Sequence, residues 1–351
     1  MRQVTERSNL YSKIAGLLQA AKQNVVRAVN QTMVYTYFEI GRMIVEEEQQ
    51  GKERAEYGKQ VLEDLALRLT QDFGKGFSVV NLRQMRAFFL TYSIQQTTSA
   101  ELQFVENKES AIQQTTSRKF ILSWSHYLKL MRIENPNERS FYEIECASNN
   151  WSLKELQRQF DTALYERLAL SRDKAGIKQL AEKGQIIERP TDMLKDPYIL
   201  EFLDMPEQHQ YSENDLETAI IDKLEHFLLE LGKGFTFVAR QSRMTIDEKH
   251  FKADLVFFNR LLKCFVVIDI KIGELTHQDI GQMQMYVNYH DRQVKLPEEN
   301  KTIGIILCKD KSKTLVEITL PQDNDQIFAS RYHTVLPDKQ AFINLLNEGD
   351  V

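Results

Sequence analysis

The chain has 351 residues, of which 42% are hydrophobic and 27% are charged. This composition is typical of an ordinary globular protein that can bury a sizeable core. No stretch approaches the run of about 18 apolar residues that a membrane span needs. A formal net charge of −5 excludes nucleic-acid binding through bulk positive charge. The charge is uneven, however: residues 1–190 carry 27 basic and 23 acidic side chains, and residues 191–351 carry 18 and 27.

Three cysteines are spread along the chain at Cys146, Cys264 and Cys308, with no CxxC pair. The spacing does not support a zinc site or a disulfide framework and favours a reduced compartment with cysteines packed in the core. The N-terminal segment is polar and lacks the apolar region of a signal peptide. We therefore predict a cytoplasmic protein without a membrane segment.

Residues 1–170 are predicted to form an all-helical domain. Helical spacing of apolar side chains marks residues 8–30 and 33–49, and then an amphipathic segment at 57–73. A turn containing Gly74 and Gly76 follows, and Ser78 is placed to cap the next helix. Helix, short glycine-containing turn and helix is the pattern of a helix-turn-helix motif.

The second helix of this motif carries side chains suited to phosphates and base edges, namely Arg83, Gln84 and Arg86. They are the candidate nucleic-acid-binding residues of the N-terminal domain. Two packed helices with a solvated polar face would give the same pattern, and helical hairpins are common. The motif by itself therefore leaves DNA binding open.

Two polar stretches are predicted to lie outside the folded cores. The sequence IQQTTS occurs twice within residues 93–119, which we interpret as a solvent-exposed insertion with a local duplication. Residues 171–191 are polar and contain Gly176, Gly184 and Pro190, and they are the predicted linker. The second domain is then predicted to cover residues 192–351.

In the second domain the apolar pattern changes from helical to mixed. A helix is predicted over 213–231, followed by strands in FTFVARQSRMTI, FKADLVFF and CFVVIDIK, a helix after Thr276, and a strand in KTIGIILCKD. Strands are also predicted over 314–320 and 327–334, before a closing helix. The order predicts an α/β (α+β) domain whose mixed sheet is flanked by helices.

Charged side chains stand where apolar strands should have none. Asp254 lies in one strand, and Asp269 and Lys271 lie two residues apart in the next, so the latter two share a face. Phosphodiester hydrolysis needs an activated water and neutralisation of phosphate charge, which carboxylate-bound Mg²⁺ can supply. Lysine can position the water, help to deprotonate it, or offset phosphate charge. A strand-end ion pair between Asp269 and Lys271 is the alternative.

Asp254, followed after a hairpin by Asp269-Ile270-Lys271, resembles the PD-(D/E)xK nuclease signature, with Ala253 in place of its proline. Residues 282–286, QMQMY, resemble the QxxxY element of RecB-like members. Together with WSLKELQRQ and FVARQ, these segments resemble the YhcG-like family of bacterial proteins, from about residue 20 to 345. The resemblance implies a restriction-endonuclease-like fold after a helical domain. It implies metal ligation by Asp254, Asp269 and the Ile270 carbonyl, catalysis by Lys271, and a site-facing Gln282 and Tyr286.

Several further residues keep two interpretations. Glu217 stands where many members carry an extra acidic metal ligand, or it is a surface residue of an amphipathic helix. Arg240 either contacts phosphate or is merely solvated. His277 and His290 are predicted to be surface residues because imidazole is a poor Mg²⁺ ligand.

The leading hypothesis is a nuclease that cuts DNA with Mg²⁺ or Mn²⁺ and uses its N-terminal domain to bind nucleic acid. A non-cleaving nucleic-acid-binding protein that uses the sheet domain as an interaction platform is the alternative, and so is a transcription regulator based on the helix-turn-helix. Duplex and branched DNA are both open as substrates. A homodimer is also left open, since no heptad repeat in the sequence demands one.

Overall fold

The computed structural model describes residues 2–50, 55–100, 120–170, 172, 174–205, 211–336 and 338–348. The chain divides into two compact units, Met1–Gln157 and Arg158–Val351. Among the described residues, no helix combines the length and apolar character needed to cross a bilayer. The predicted division at residues 170 and 191 stays a prediction, and most of the predicted insertion, residues 101–119, lies outside the described residues.

The N-terminal unit is helical, as the sequence predicts. Its helices are α1 (Arg2–Gln50), α2 (Ala55–Phe73), α3 (Val79–Ala100), α4 (Trp124–Leu130) and α5 (Pro136–Asn149). The two helices predicted over 8–49 form the single helix α1. The intervening segment contains neither glycine nor proline, and the Thr32 and Thr36 hydroxyls bond back to the carbonyls of Ala28 and Thr32. A polar junction therefore does not interrupt the helix.

Aromatic rings form the core beside α3. The ring of Phe88 lies 5.0 Å from those of Tyr92 and Phe120 and 5.3 Å from that of Trp124, in tilted or edge-on geometry. The α2–α3 hairpin has the predicted form: its turn contains Gly74 with φ of 82°, and the Ser78 hydroxyl accepts from the Asn81 amide. The helix-turn-helix-like geometry is thus fixed by turn and cap chemistry.

The C-terminal unit begins within α6 (Leu153–Asp161) and has helices on a mixed sheet. Near its start, Ala163 adopts a φ of 53° and separates α6 from α7 (Leu164–Leu170). A similar break at Lys223 divides the helix predicted over 213–231. The remaining helices are α8 (Lys174–Lys183), α9 (Glu213–Asp222), α10 (Leu224–Leu231), α11 (His277–Tyr289), α12 (Lys313–Thr319) and α13 (Lys339–Glu348).

Six strands form one sheet in the described part of the chain, in the order β1-β6-β5-β4-β3-β2. Their bounds are β1 (Tyr198–Ile199), β2 (Phe235–Ile246), β3 (Lys249–Asn259), β4 (Cys264–Ile270), β5 (Ile303–Cys308) and β6 (Ile327–His333). Strands β2, β3 and β4 form an antiparallel meander, and β4, β5 and β6 are parallel. The predicted fold class of the C-terminal region is confirmed.

Two local predictions differ from the structure. The segment 314–320 is predicted to be a strand, but Lys313–Thr319 is helix α12, whose N-terminus is capped by Ser312, since the Ser312 hydroxyl accepts from the Leu315 amide. The predicted linker 171–191 contains α8. All three cysteines are buried with free thiols, as expected for cysteines packed in the core.

Apolar clusters cover both faces of the sheet. On one face, Ile268 and Ile270 of β4 belong to the cluster that contains Leu216 and Phe227 from α9 and α10. On the other face, Val267 belongs to the cluster that contains Ile280, Met283 and Tyr286 of α11. Helices on both faces leave the strand ends as the place where polar side chains can gather.

Candidate active site

Asp254 and Asp269 lie next to each other at the end of a strand pair. The last paired residues of the β3–β4 ladder are Leu255 and Ile268. Asp254 precedes the first and Asp269 follows the second, so both carboxylates stand just beyond the ladder. The Ile270 amide donates to Asp254 Oδ2 at 2.8 Å. Asp269 is 2% exposed, so a charged group is held inside the sheet edge at an energetic cost.

Lys271 is the nearest cation to this carboxylate pair. Its Nζ lies 3.0 Å from Asp269 Oδ2 and 3.5 Å from Glu213 Oε2, at the start of α9. The Lys271 amide donates to the Leu307 carbonyl at 2.7 Å, which fixes the backbone beyond β4. The predicted shared face of Asp269 and Lys271 is therefore realised as a direct ion pair at the site.

The protonation equilibria of the site reflect burial and an excess of negative charge. Burial raises the pKa of Asp254, and the neighbouring Asp269 raises it further, to about 7. Burial also raises the pKa of Asp269, although Lys271 partly opposes the shift. Burial disfavours the charge on Lys271, but Asp269 outweighs it, so the pKa of Lys271 is raised and the ammonium stays protonated.

Gln282 and Tyr286 occupy the face of α11 that borders the site. The capping box of Thr276 and Asp279 starts this helix, and the i, i+4 spacing aligns the two side chains. Gln282 donates from Nε2 to the Tyr286 hydroxyl, which donates to the Lys252 carbonyl at 2.7 Å. Burial raises the pKa of Tyr286, and the charges of Asp269 and Asp254 contribute to the shift. The tyrosine thus ties α11 to β3.

Glu217 is 2% exposed and its charge is felt by Asp254. Arg240 donates to its Oε1 at 2.7 Å, and Gln241 donates to its Oε2. Gln241 adopts a φ of 51° within β2, a sterically costly conformation for a residue with a side chain. Arg240 is therefore not simply solvated, since its guanidinium pairs with Glu217. The role of either residue in catalysis or nucleic-acid binding stays a prediction.

A divalent cation fits the Asp254–Asp269 pair. No group of three or more His, Cys, Asp or Glu side chains capable of holding a metal occurs among the described residues. Mg²⁺ needs no such cage, because it commonly uses one or two carboxylates together with water and substrate phosphate. Two adjacent carboxylates whose pKa values are raised by burial form a donor set that a hard cation would stabilise. The residues present are thus compatible with Mg²⁺ or Mn²⁺.

The N-terminal candidates have different environments on α3. Arg83 is exposed, and Gln84 is half-buried beside it. Both line a small cavity of about 340 Å³ together with Val80 and Arg132. Arg86 instead forms an ion pair with Glu48 of α1 at 2.5 Å. Of the three predicted nucleic-acid contacts, Arg83 is the most accessible and Arg86 already has a protein partner.

His290 is buried, contrary to the prediction that it is a surface residue, and Glu213 is a site residue that was not predicted. His290 is 3% exposed, its Nδ1 lies 2.9 Å from the Tyr286 carbonyl, and burial lowers its pKa. Its position after α11 gave no periodic signal of burial, whereas His277 is exposed as predicted. Glu213 could have been found from its i, i+4 spacing to Glu217, which places both acids on one face of α9.

Comparisons with known proteins cover both regions of the chain. Residues 191–346 match the family model described as the YhcG PDDEXK nuclease domain, and residues 13–167 match the DUF1016 N-terminal domain. Part of the chain also superposes on a repair endonuclease from Pyrococcus abyssi (TM-score 0.25, 13% identity, 38% of this chain and 50% of that chain). A second superposition is with EndoMS in its apo form (TM-score 0.23, 16% identity, 37% and 49%). The chain spans about half the length of each solved structure.

A full-length relative is found in Escherichia coli (strain K12). The chain is 40% identical to the protein named "Putative nuclease YhcG" over 343 residues, which cover 94% of this chain and 91% of that protein. This similarity extends across both matched domains. The chain therefore belongs to the YhcG family, in which a DUF1016 N-terminal domain is joined to a PDDEXK nuclease domain.

Proposed function

We propose that this protein is a nuclease that hydrolyses phosphodiester bonds in DNA and requires Mg²⁺ or Mn²⁺. The observation that carries the proposal is the buried carboxylate pair, Asp254 and Asp269, with a protonated Lys271 beside it at the strand ends of a PDDEXK domain. A purely structural ion pair would need one acid. The second acid adds negative charge to the cluster, which makes the cluster suited to bind a cation.

In this proposal Asp254 and Asp269 hold the cation, and the Ile270 amide keeps Asp254 in position. The bound cation neutralises phosphate charge and lowers the pKa of the attacking water. Lys271 places its ammonium at the same edge, where it offsets the charge of a phosphate oxygen. Because the pKa of Lys271 is raised, its ammonium acts as a hydrogen-bond donor to the water or phosphate and does not act as a base. Gln282 and Tyr286 hold α11 against the site.

The resemblance implies two further metal ligands, the Ile270 carbonyl and the Glu217 carboxylate. The Ile270 carbonyl adjoins Asp269 in sequence. Glu217 accepts one hydrogen bond on each carboxylate oxygen, from Arg240 and from Gln241, and each oxygen keeps a second lone pair. We assign Glu217 a supporting role beside the carboxylate pair and Arg240 a position from which it can contact phosphate.

The N-terminal domain is proposed to bind nucleic acid through the exposed side of α3. Arg83 and Gln84 are accessible there, and Arg86 contributes if its ion pair with Glu48 opens. Such contacts position a substrate through its phosphates more than they select a sequence. A homodimer that cuts both strands, and a location in the cytoplasm, remain predictions of the sequence.

The test is a cleavage assay on labelled duplex, branched and single-stranded DNA and on RNA, with Mg²⁺, with Mn²⁺ and with chelator. We expect metal-dependent cutting of a DNA form that disappears in Asp269→Asn. Asp325→Asn is the matched control, because Asp325 is an exposed acid of the same unit that pairs with Lys301. Cutting that survives both chelator and Asp269→Asn contradicts the proposal, and metal-independent binding without cutting supports a DNA-binding protein instead.

A further inference from the structure

The β2–β3 hairpin extends past the end of the β4 strand. Pairing between β3 and β4 stops at Leu255, but β2 and β3 remain paired as far as Ile246 and Lys249. We name residues 242–253 the hairpin arm. It begins beside Asp254, and a strand of this length reaches roughly 15 Å beyond the carboxylate at about 3.3 Å per residue. The arm therefore projects directly from the candidate active site.

One face of the arm is held by apolar contacts. Met244 is 1% exposed and, with Phe251, belongs to the apolar cluster that includes Ile280 and Met283 of α11. The Tyr286 hydroxyl donates to the Lys252 carbonyl at the root of the arm. These contacts fix the arm relative to the site, so side chains on its other face have defined positions.

The outer face of the arm carries two cations directly opposite each other. Arg243 pairs with Lys252 across the strands, and both side chains are exposed. In the described parts of the chain neither forms an ion pair or a side-chain hydrogen bond. Like charges in direct cross-strand register destabilise a sheet. The acids of the arm, Asp247 and Glu248, lie in the turn at its tip and do not pair with these cations.

Protection of an exposed sheet edge does not explain this pair. Strand β2 is the edge strand, and a single lysine or arginine on it would discourage edge-to-edge association. Beyond Leu255, β3 is an edge as well, and a cation placed out of register on it would protect that edge without facing Arg243. Lys252 lies two residues before Asp254, and Arg243 lies opposite it. A polyanion next to the site would stabilise these two unpaired cations.

We propose that the outer face of the hairpin arm, centred on Arg243 and Lys252, binds the phosphodiester backbone of the substrate beside the bond that is cut. This assignment rests on the proposed nuclease function and adds a substrate contact to it. On one nucleic-acid strand, a reach of about 15 Å corresponds to roughly four backbone charges at 3.4 Å each. The arm thus holds the flank of the substrate, beside the carboxylate pair that is proposed to hold the cation.

The test compares two double variants of equal charge. Arg243→Gln/Lys252→Gln removes the arm cations, and Arg260→Gln/Lys263→Gln removes one arginine and one lysine from the exposed connection at the other end of β3. Binding of the full-length protein to duplex DNA, single-stranded DNA and duplex RNA is measured by anisotropy in chelator over a salt series. Thermal melts check folding, and the arm variant is expected to melt at the same or a higher temperature.

We expect the arm variant to bind more weakly and to lose about 1.8 from the slope of log K against log salt on duplex, or about 1.4 on a single strand. The control keeps the parent slope, and the form that the parent binds most tightly is the preferred substrate. Equal slopes for both variants on every form overturn the inference and leave the proposed function intact. A reduced salt slope in the arm variant, together with no metal-dependent cutting by the parent, supports nucleic-acid binding by the arm and overturns the proposed function. Failure of the parent to bind any form overturns both.

Discussion

Two buried charge clusters in the C-terminal unit are built in opposite ways. At the candidate active site, Asp254 and Asp269 share one lysine, and their pKa values are raised. Elsewhere in the unit, Glu230 is fully buried among Arg167, Arg158 and Lys195. Burial opposes the charge of Glu230, but the three cations outweigh it and lower its pKa to about 2.

The Glu230 carboxylate has its ion-pair and hydrogen-bond partners within the protein. Arg167 Nη1 lies 2.6 Å from Glu230 Oε1, and the Ile199 amide donates to the same oxygen at 3.0 Å. Arg167 also donates to the carbonyls of Thr162 and Pro197, so it connects α7 to the chain before β1. A buried charge with this many partners holds the fold together and leaves no capacity for a ligand.

The difference shows how buried charge can be interpreted. An acid whose pKa is lowered by protein cations is completed by the protein. A pair of buried acids whose pKa values are raised lacks such compensation, which agrees with the proposed cation site.

Asp269→Asn should lower the cleavage rate by about 10³-fold or more, which is roughly 4 kcal/mol of transition-state stabilisation. The melting temperature should be unchanged or higher, because a buried charge with a raised pKa is replaced by a neutral isostere. Single-turnover cleavage and calorimetry measure the two effects. A large loss of stability in this variant would show that Asp269 is structural and would remove the contrast with Glu230.

Arg167→Ala should destabilise the protein by about 3–5 kcal/mol, because it leaves Glu230 buried with too little compensation. Urea unfolding followed by circular dichroism measures the change. Lys178→Ala is the control: Lys178 is exposed and pairs with Glu182 at 3.8 Å, so its loss should cost less than about 1 kcal/mol. Similar values for the two variants would contradict the view that the Glu230 cluster holds the unit together.

Saturating Mg²⁺ should stabilise the parent protein by about 2.7 kcal/mol when its concentration is 100 times Kd. Neither Asp254→Asn nor Asp269→Asn should show this increase, since each removes one carboxylate of the pair. Thermal melts with Mg²⁺ and with chelator provide the measurement, independent of cleavage. Equal stabilisation of the Asp269→Asn variant would place the cation at another site.

Acid should weaken the Glu230 cluster in a defined pH window. Because the folded-state pKa of Glu230 lies below its unfolded value, its contribution to stability is complete above about pH 4.5. The contribution is lost as the pH falls from there towards 2. We expect the unfolding free energy of the parent to fall more steeply over this range than that of Glu230→Gln, as measured by denaturant titration at several pH values. Parallel curves would rule out the assigned shift.

Tyr286→Phe should reduce cleavage by about 10-fold and leave the melting temperature within a few degrees. The change removes the hydroxyl that accepts from Gln282 and donates to the Lys252 carbonyl, and it keeps the packing of the ring. Steady-state kinetics should show the effect in kcat. A wild-type rate would mean that the i, i+4 pair on α11 serves packing alone.

Much of the fold and the acidic motif was predictable because local patterns specify them. The strands around Asp254 and Asp269 have continuous apolar runs, and α11 has a capping box at its start, so periodicity and cap chemistry place them. The strand predicted over 314–320 was wrong because a short apolar segment fits a strand or a helix, and the Ser312 cap starts a helix here. The break of α6 from α7 at Ala163 has no local signal.

By itself, the sequence determined the order of the elements, the placement of Asp254, Asp269 and Lys271 at strand ends, and the shared helix face of Gln282 and Tyr286. The tertiary structure decided which charges meet: Glu213 with Lys271, Arg240 and Gln241 with Glu217, and Arg167 with Glu230. It also opposed Arg243 to Lys252 on the hairpin arm. Apart from this last pair, the pairings join residues far apart in sequence, and strand register and helix packing bring them together where no local spacing encodes the contact.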